Sequence, residues 1–308
     1  MLPGFNTTRA KPFLKWAGGK TQLLAQMEAY FPQELRTGGI KRYIEPFIGG
    51  GAVFFHIAQE FGVEEFFILD INSDLILAYQ TLKEAGHVVI SRLLDMESKY
   101  HSLEPTTQSE FYYRTRSAYN KKKQDINYSN FSEAWVERTA QLIFLNRTCY
   151  NGLFRVNSKG EFNVPFGSYK NPTICNVDNL NAVVDVLQRT SIIQGDFTLC
   201  REHVNSETFV YFDPPYRPLT RTASFTSYSS TAFDDVEQLR LAALYKELSA
   251  RRAKLLLSNS DPRNEDLEGD FFDRAYAEFT IERVSASRVI NCNATKRGQI
   301  TELLIMNY

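Results

Sequence analysis

Short apolar runs recur along the chain, and several of them run straight into an acid. Thr208-Phe209-Val210-Tyr211-Phe212 ends at Asp213, and Glu65-Phe66-Phe67-Ile68-Leu69 ends at Asp70. Ser191-Ile192-Ile193-Gln194-Gly195-Asp196 repeats the pattern, and residues 41–48 (KRYIEPFI) enter Gly49-Gly50-Gly51. Unbroken apolar runs of this length predict strands buried on both faces, as in a parallel sheet. Further strands are expected at 253–258 and 301–307. Helices are expected at 52–59 and 235–250. Strand, glycine turn, helix, strand, acid is the opening of a nucleotide-binding βαβ unit. The pieces predict an α/β protein with a mostly parallel sheet and helices on its faces.

The middle of the chain departs from that alternation. From about Leu75 to Asp185 the text is polar, aromatic and helical in pattern, with no convincing buried strand. Residues 114–170 carry ten Lys or Arg against four acids, a local net of +6 in a chain whose formal net charge is −1. We read 76–185 as an inserted, largely helical module, and 1–75 with 186–308 as the core domain. Because the global charge is close to zero, any polyanion site must come from such a local patch.

Composition removes several classes. The chain is 43% hydrophobic and 23% charged, ordinary for a soluble protein of 308 residues. Cys149, Cys175, Cys200 and Cys292 form no CxxC pair, and the four histidines do not cluster with them, so neither a zinc site nor a disulfide framework is expected. No stretch resembles a signal peptide, and no apolar run approaches the roughly 18 residues of a membrane span. A reduced, cytoplasmic setting is the expectation.

Asp213-Pro214-Pro215-Tyr216 carries the most chemistry. Two prolines fix φ and remove two backbone donors, which leaves a stiff cluster of acceptors beside an aromatic face. It sits just beyond a strand's carboxyl end, where open α/β sheets bind ligands. A planar amine, above all that of a nucleobase, suits it. Pro46-Phe47-Ile48-Gly49-Gly50-Gly51-Ala52 is a turn that allows close approach to the backbone, although a purely structural turn reads the same way. Asp70 suits ribose hydroxyls, or alternatively the cap of a helix over 71–80. Lys15-Trp16-Ala17-Gly18-Gly19-Lys20-Thr21 lacks the first glycine of a phosphate loop, because Leu14 stands there. Trp16 can still pack on a flat ligand; a helix cap with a buried Trp is the alternative. Residues 146–167 mix Arg, Asn, Tyr and Lys over a turn-rich stretch, suited to base edges and stacking but also to a solvated hairpin. Residues 218–231 hold eight Ser or Thr, as an ordinary exposed loop or one that orders over substrate would.

Taken together, KWAGGK (15–20), EPFIGGG (45–51), NGLFRVN (151–157), FNVPFG (162–167), DPPY (213–216), FTSY (225–228) and SNS (258–260) resemble the Dam family of DNA adenine-N6 methyltransferases. The match covers essentially the whole chain in family order. It implies a Rossmann-like methyltransferase core with an inserted, mainly helical target-recognition domain. S-adenosylmethionine is the implied methyl donor, with no metal. Trp16, Lys20, Gly49, Gly51, Asp70, Asp196 and Phe197 would hold the donor, and Asp213 would lie where donor and base meet. Asp213, Pro214 and Tyr216 would be catalytic. The implied partner is double-stranded DNA. Asn151, Leu153, Arg155, Pro165 and Tyr169 would read bases, Tyr150 would wedge into the stack, Arg147 would anchor the backbone and Lys15 would touch a guanine. These residues match family members that read GATC. A monomer is expected. An amine methyltransferase for RNA or protein, or a DNA-binding homologue without catalysis, would share parts of the pattern. A housekeeping and a restriction–modification role both remain open.

Overall fold

A computed structural model describes residues 8–217, 233–264, 266, 268–287 and 299–308. The Ser/Thr stretch 218–231, with FTSY inside it, lies outside the described residues. Seven strands form one sheet: β1 (Arg42–Glu45), β2 (Glu65–Asp70), β3 (Thr190–Gln194), β4 (Thr208–Phe212), β5 (Lys254–Ser260), β6 (Thr280–Ser287) and β7 (Gln299–Met306). Their order is β3-β2-β1-β4-β5-β7-β6. Strands β1 to β5 are parallel, and β7 runs antiparallel to both neighbours. This is the α/β core with a mostly parallel sheet that the apolar runs predict, and the Rossmann-like architecture that the family resemblance implies.

Strand β6 is the one the apolar runs did not reveal. Among the described residues it pairs only with β7, at the sheet's edge. An edge strand covered on one side needs no continuous apolar run, and Thr280, Glu282, Arg283 and Ser285 interrupt this one.

The described helices are α1 (Leu24–Met27), α2 (Gln33–Thr37), α3 (Ala52–Glu60), α4 (Ser73–His101), α5 (Pro105–Lys121), α6 (Glu133–Thr148), α7 (Val177–Leu187), α8 (Asp235–Ala250) and α9 (Phe271–Ala275). Side-chain caps start three of the long ones. Asn72 accepts from Leu75 N, Asn176 from Asn179 N, and Asp234 from Val236 N and Glu237 N. Helix α4 leaves helical geometry at Ala85, where φ is −141°. Before that break it lies on the sheet, with Gln80 Nε2 donating to Ile192 O and Lys83 Nζ to Thr190 O. Beyond it, Glu97 accepts from the backbone of Ile174 and Cys175. Helix α7 also packs on the sheet side, against α3 and β3. Both sheet-bound pieces fall mostly inside the range 76–185.

The period-2 alternation of the strands sorts the core into two layers. Tyr43, Phe209, Tyr211, Leu256 and Leu304 face α3, α4 and α7, and this layer continues into the insert through Tyr112 and Phe144. Ile44, Val210, Phe212, Leu255 and Leu257 face α8 through Leu241, Tyr245 and Leu248. All five residues of β4 are buried, which is why it reads as an unbroken apolar run. The strand order reverses between β1 and β4, so a crevice opens between their carboxyl ends.

Candidate active site

One wall of that crevice is the turn after β1. Gly49 has φ 46° and Gly51 φ 74°, left-handed values that disfavour a side chain. A Cβ on Gly51 would stand 2.7 Å from the Tyr79 hydroxyl, and one on Gly49 would stand 2.9 Å from Trp16. Both positions therefore need glycine for space as well as for φ. Tyr79 donates to Gly49 O at 3.1 Å. Asp70, at the end of β2, accepts from Gly49 N at 3.2 Å and from Asn72 N at 2.9 Å. The helix cap is Asn72, so Asp70 is left to hold the glycine turn. Burial pushes the Asp70 carboxyl up to about 6, against the pull of its backbone partners.

Trp16 lies against this turn and stacks on Phe154 of the insert, centroids 4.9 Å apart at 20°. It therefore joins the turn to the insert. Asp196 follows β3 and caps the short helix Phe197–His203 through Thr198 N. Arg240 on α8 grips both of its oxygens, at 2.8 and 2.7 Å, and holds its carboxyl far below the usual range. The same guanidinium lies 4.2 Å from the centroid of the buried Phe197 ring.

The opposite wall is the turn after β4. Asp213 Oδ1 accepts from Lys20 Nζ at 2.7 Å and from Ser258 Oγ at 3.1 Å. Ser258 has one proton, so it accepts in turn from the buried Tyr211 hydroxyl, 2.8 Å away. Lys20 is only 4% exposed. Its ammonium also donates to Tyr216 OH at 2.6 Å and to Gly18 O at 3.1 Å. Gln238 of α8 pins the turn by donating to Pro215 O at 3.1 Å. Among the described residues nothing bonds to Asp213 Oδ2 or to the Pro214 carbonyl. Burial raises the Asp213 carboxyl, while Lys20 and Ser258 pull it back.

The sequence-predicted Lys20 and Asp213 thus meet directly, across 193 residues of chain. Three participants were not anticipated. Glu45 ends β1, is 3% exposed, and accepts from Tyr43 OH at 2.6 Å. Burial pushes its carboxyl well above the usual carboxylate range. It obeys the same strand-end rule as Asp70 and was legible by it. Arg240 and Gln238 sit on a helix far along the chain, and no spacing announces them.

Of the residues expected to meet DNA, all but Lys15 and Arg147 lie on one loop system after α6. Bridges Cys149↔Phe166 and Val156↔Phe162 fold it back on itself. Tyr150 is 56% exposed, and its N donates to Pro165 O at 2.9 Å. Asn151 is exposed with φ 58°. Leu153 and Tyr169 are half-buried, and Lys15 Nζ lies 5.5 Å from the Tyr169 ring centroid. Arg155 is exposed, its Nε donating to Asn163 Oδ1 at 2.8 Å. Arg147 differs from the rest. It is half-buried and donates to Phe13 O at 2.8 Å, tying the N-terminal segment to α6. Asn146 clips the same segment, bonding Lys15 N, Lys15 O and Gly152 O.

Among the described residues no group of three or more His, Cys, Asp or Glu could hold a metal ion, and no helix is long and apolar enough to cross a membrane. The glycine turn held by Asp70 and the turn at 213–216 thus flank the point where the strand order reverses. Residues 16–290 match the D12 class N6 adenine-specific DNA methyltransferase family, and the chain belongs to it. It is 50% identical over 299 residues to the Type II methyltransferase M.MjaIII of Methanocaldococcus jannaschii, covering 97% of this chain and 99% of that one. It is 37% identical to the Type II methyltransferase M1.LlaDCHI of Lactococcus lactis subsp. cremoris, covering 98% and 97% of the two chains. It is also 31% identical to a DNA adenine methylase of Vibrio cholerae, covering 97% and 96%. The chain is an adenine-specific DNA methyltransferase.

Proposed function

We propose that the chain methylates N6 of an adenine flipped out of duplex DNA, with S-adenosylmethionine as donor and GATC as target. The carrying observation is that Asp213 Oδ2 and the Pro214 carbonyl are two rigid acceptors without partners among the described residues, on a turn pinned by Gln238. Adenine N6 is a poor nucleophile because its lone pair is delocalised into the ring. Accepting its two N–H bonds localises that pair, and positioning and electrostatics do most of the work. The amine is buried in a duplex, so the base must leave the stack at a cost of a few kcal/mol. Tyr216 stacks on the flipped ring, a contact worth about 1–3 kcal/mol.

The donor side fits S-adenosylmethionine. The glycine turn has no room for side chains at Gly49 and Gly51, and the Asp70 carboxylate beside it suits a ribose. Asp196 and Phe197 would frame the donor's adenine, while Trp16 and Lys20 close the side toward the insert. When bound, S-adenosylmethionine supplies a methyl group activated on a sulfonium. The core comprises 1–75 and 186–308 and the recognition module 76–185. Within the module, Asn151, Leu153, Arg155, Pro165 and Tyr169 read the GATC bases, Tyr150 wedges and Arg147 anchors the backbone, while Lys15 of the core assists at a guanine. The protein works as a monomer on DNA in the cytoplasm. Two relatives named Type II methyltransferases favour a restriction–modification setting.

Asp213→Ala is expected to abolish methyl transfer while DNA binding stays measurable. Turnover in a labelled-methyl assay with that variant would defeat the mechanism. Methylation of random-sequence DNA, followed by mapping of N6-methyladenine, tests GATC.

A further inference from the structure

Glu302 belongs to no motif and lies near the other end of the chain from Lys20, yet the fold brings the two side chains to 3.9 Å. Strand β7 runs antiparallel, so its first residues, not its last, reach the carboxyl edge where the catalytic turn sits. Glu302 pairs with Ser260, and Leu304 with Ser258. Alternation therefore puts Glu302 on the same face as Ser258, the partner of Asp213.

The direction of the hydrogen bonds is forced. An ammonium only donates. Lys20 Nζ stands 2.6 Å from Tyr216 OH, so that oxygen accepts, and the hydroxyl proton must point elsewhere. Glu302 Oε2 lies 2.8 Å away and takes it. The chain runs from Lys20 through Tyr216 to Glu302, while a second arm runs from Lys20 to Asp213 Oδ1. The buried ammonium thus faces two carboxylates. Without Glu302, Asp213 alone would balance it, and the attraction would draw Asp213 away from substrate.

The backbone at Glu302 is well anchored. Thr301 N donates to Asn264 Oδ1 at 2.9 Å, and Thr301 Oγ1 donates to Asp261 Oδ2 at 2.8 Å. Asn264 Nδ2 donates to Thr301 O at 2.7 Å. Asp261 is only 1% exposed and also accepts from Arg283, which is itself held by Asp273.

We propose that Glu302 is a positioning residue for methyl transfer. It accepts the Tyr216 hydroxyl proton and shares the Lys20 charge, which fixes the stacking ring and leaves Asp213 Oδ2 for the substrate amine. This rests on the catalytic roles of Asp213 and Tyr216 given above.

Single-turnover methyl transfer on pre-bound DNA tests it in the full-length chain with four variants: Glu302→Ala, Glu302→Gln, Tyr216→Phe and Tyr216→Phe combined with Glu302→Ala. Loss of a hydrogen bond to a charged group predicts that Glu302→Ala slows the step about 10–100-fold, with affinities for DNA and S-adenosylmethionine nearly unchanged. Glutamine keeps a neutral acceptor, so Glu302→Gln should fall between. In the Tyr216→Phe background the hydroxyl relay is already gone, so Glu302→Ala should cost several-fold less than in wild type. A merely structural role would give equal fold losses in both backgrounds. Equal losses, or a wild-type rate in Glu302→Gln, overturn the proposal. If Glu302→Ala melts early by circular dichroism, the same cycle is run with Glu302→Gln. Asp213→Ala is assayed alongside. Turnover there sinks the catalytic reading itself, whereas a dead Asp213→Ala with additive Glu302 losses sinks only the positioning role.

Discussion

Four acids stand at the carboxyl ends of strands β1 to β4, and their surroundings tune them differently. Burial pushes Glu45 up despite its hydrogen bonds from Tyr43 and the Phe54 backbone, whereas Arg240 holds Asp196 far down. Asp213 is raised by burial and pulled back by Lys20 and Ser258. Asp70, pushed up to about 6, gives a test. Ribose hydroxyls donate, so they favour the ionised carboxylate. Affinity for S-adenosylmethionine is therefore expected to rise from about pH 5 to about pH 7, and Asp70→Asn to flatten that rise. Calorimetry across this range decides it, and a wild-type profile as flat as the variant's would remove Asp70 from the donor site. Without donor the sign reverses. The folded-state value exceeds the unfolded value of about 3.9, so Asp70's contribution to stability falls as pH climbs from there through about 6. Arg155 offers a second test. Asn163 orients its exposed guanidinium, so Arg155→Ala should lose about 1–3 kcal/mol of discrimination at one base pair. Equal losses on cognate and non-cognate DNA would make it a phosphate contact. Asp70, Asp196 and Asp213 were legible because parallel strands deliver their last residues to the ligand edge. Glu302 was not, because the rule inverts on an antiparallel strand and no local pattern reveals strand direction.

At the scale of elements, the join between sheet and insert depends on a buried ion pair. Asp74 opens α4, and Arg138 lies midway along α6, each less than a tenth exposed. Arg138 Nε and NH2 donate to the two carboxylate oxygens at 2.6 and 3.0 Å, and Tyr128 OH donates at 2.7 Å. Burial alone would raise the Asp74 carboxyl, but the bonds from Arg138 and Tyr128 outweigh it and hold the group below its ordinary value. The depressed value makes its stabilisation present at neutral pH and lost as pH falls through the folded-state value. Asp74→Ala would strand a buried guanidinium and is expected to cost about 3–5 kcal/mol in denaturant unfolding. Asp74→Leu with Arg138→Met should recover most of that loss, since an apolar pair needs no counter-charge. If the double variant unfolds as easily as the single one, the pair does more than satisfy itself. The helical character of this region was plain in the sequence. The pairing of residues 64 apart was not, because periodicity reports the face a helix buries but not its partner.

At the scale of the whole molecule, charge is divided between parts rather than accumulated. The formal net is −1, yet 114–170 carries ten cations against four acids. Long-range attraction to DNA is therefore expected to be weak, and the proposed recognition role of the insert requires it to supply the contacts that release counterions. Some of its cations are already engaged within the fold. Arg138 is buried on Asp74, and Lys123 holds the loop after α6 by donating to Gly160 O at 2.8 Å. Lys121, Lys122, Lys159 and Lys170 are exposed. Binding should weaken steeply with salt. Each of these lysines that meets a phosphate should lower the slope of log K against log salt by about 1 when changed to Ala, at similar cost on all sequences. Arg274, exposed on helix α9 outside the insert and paired with Asp270, serves as the control. A slope unchanged by the insert variants, or lowered as much by Arg274→Ala, would move the DNA surface off the insert.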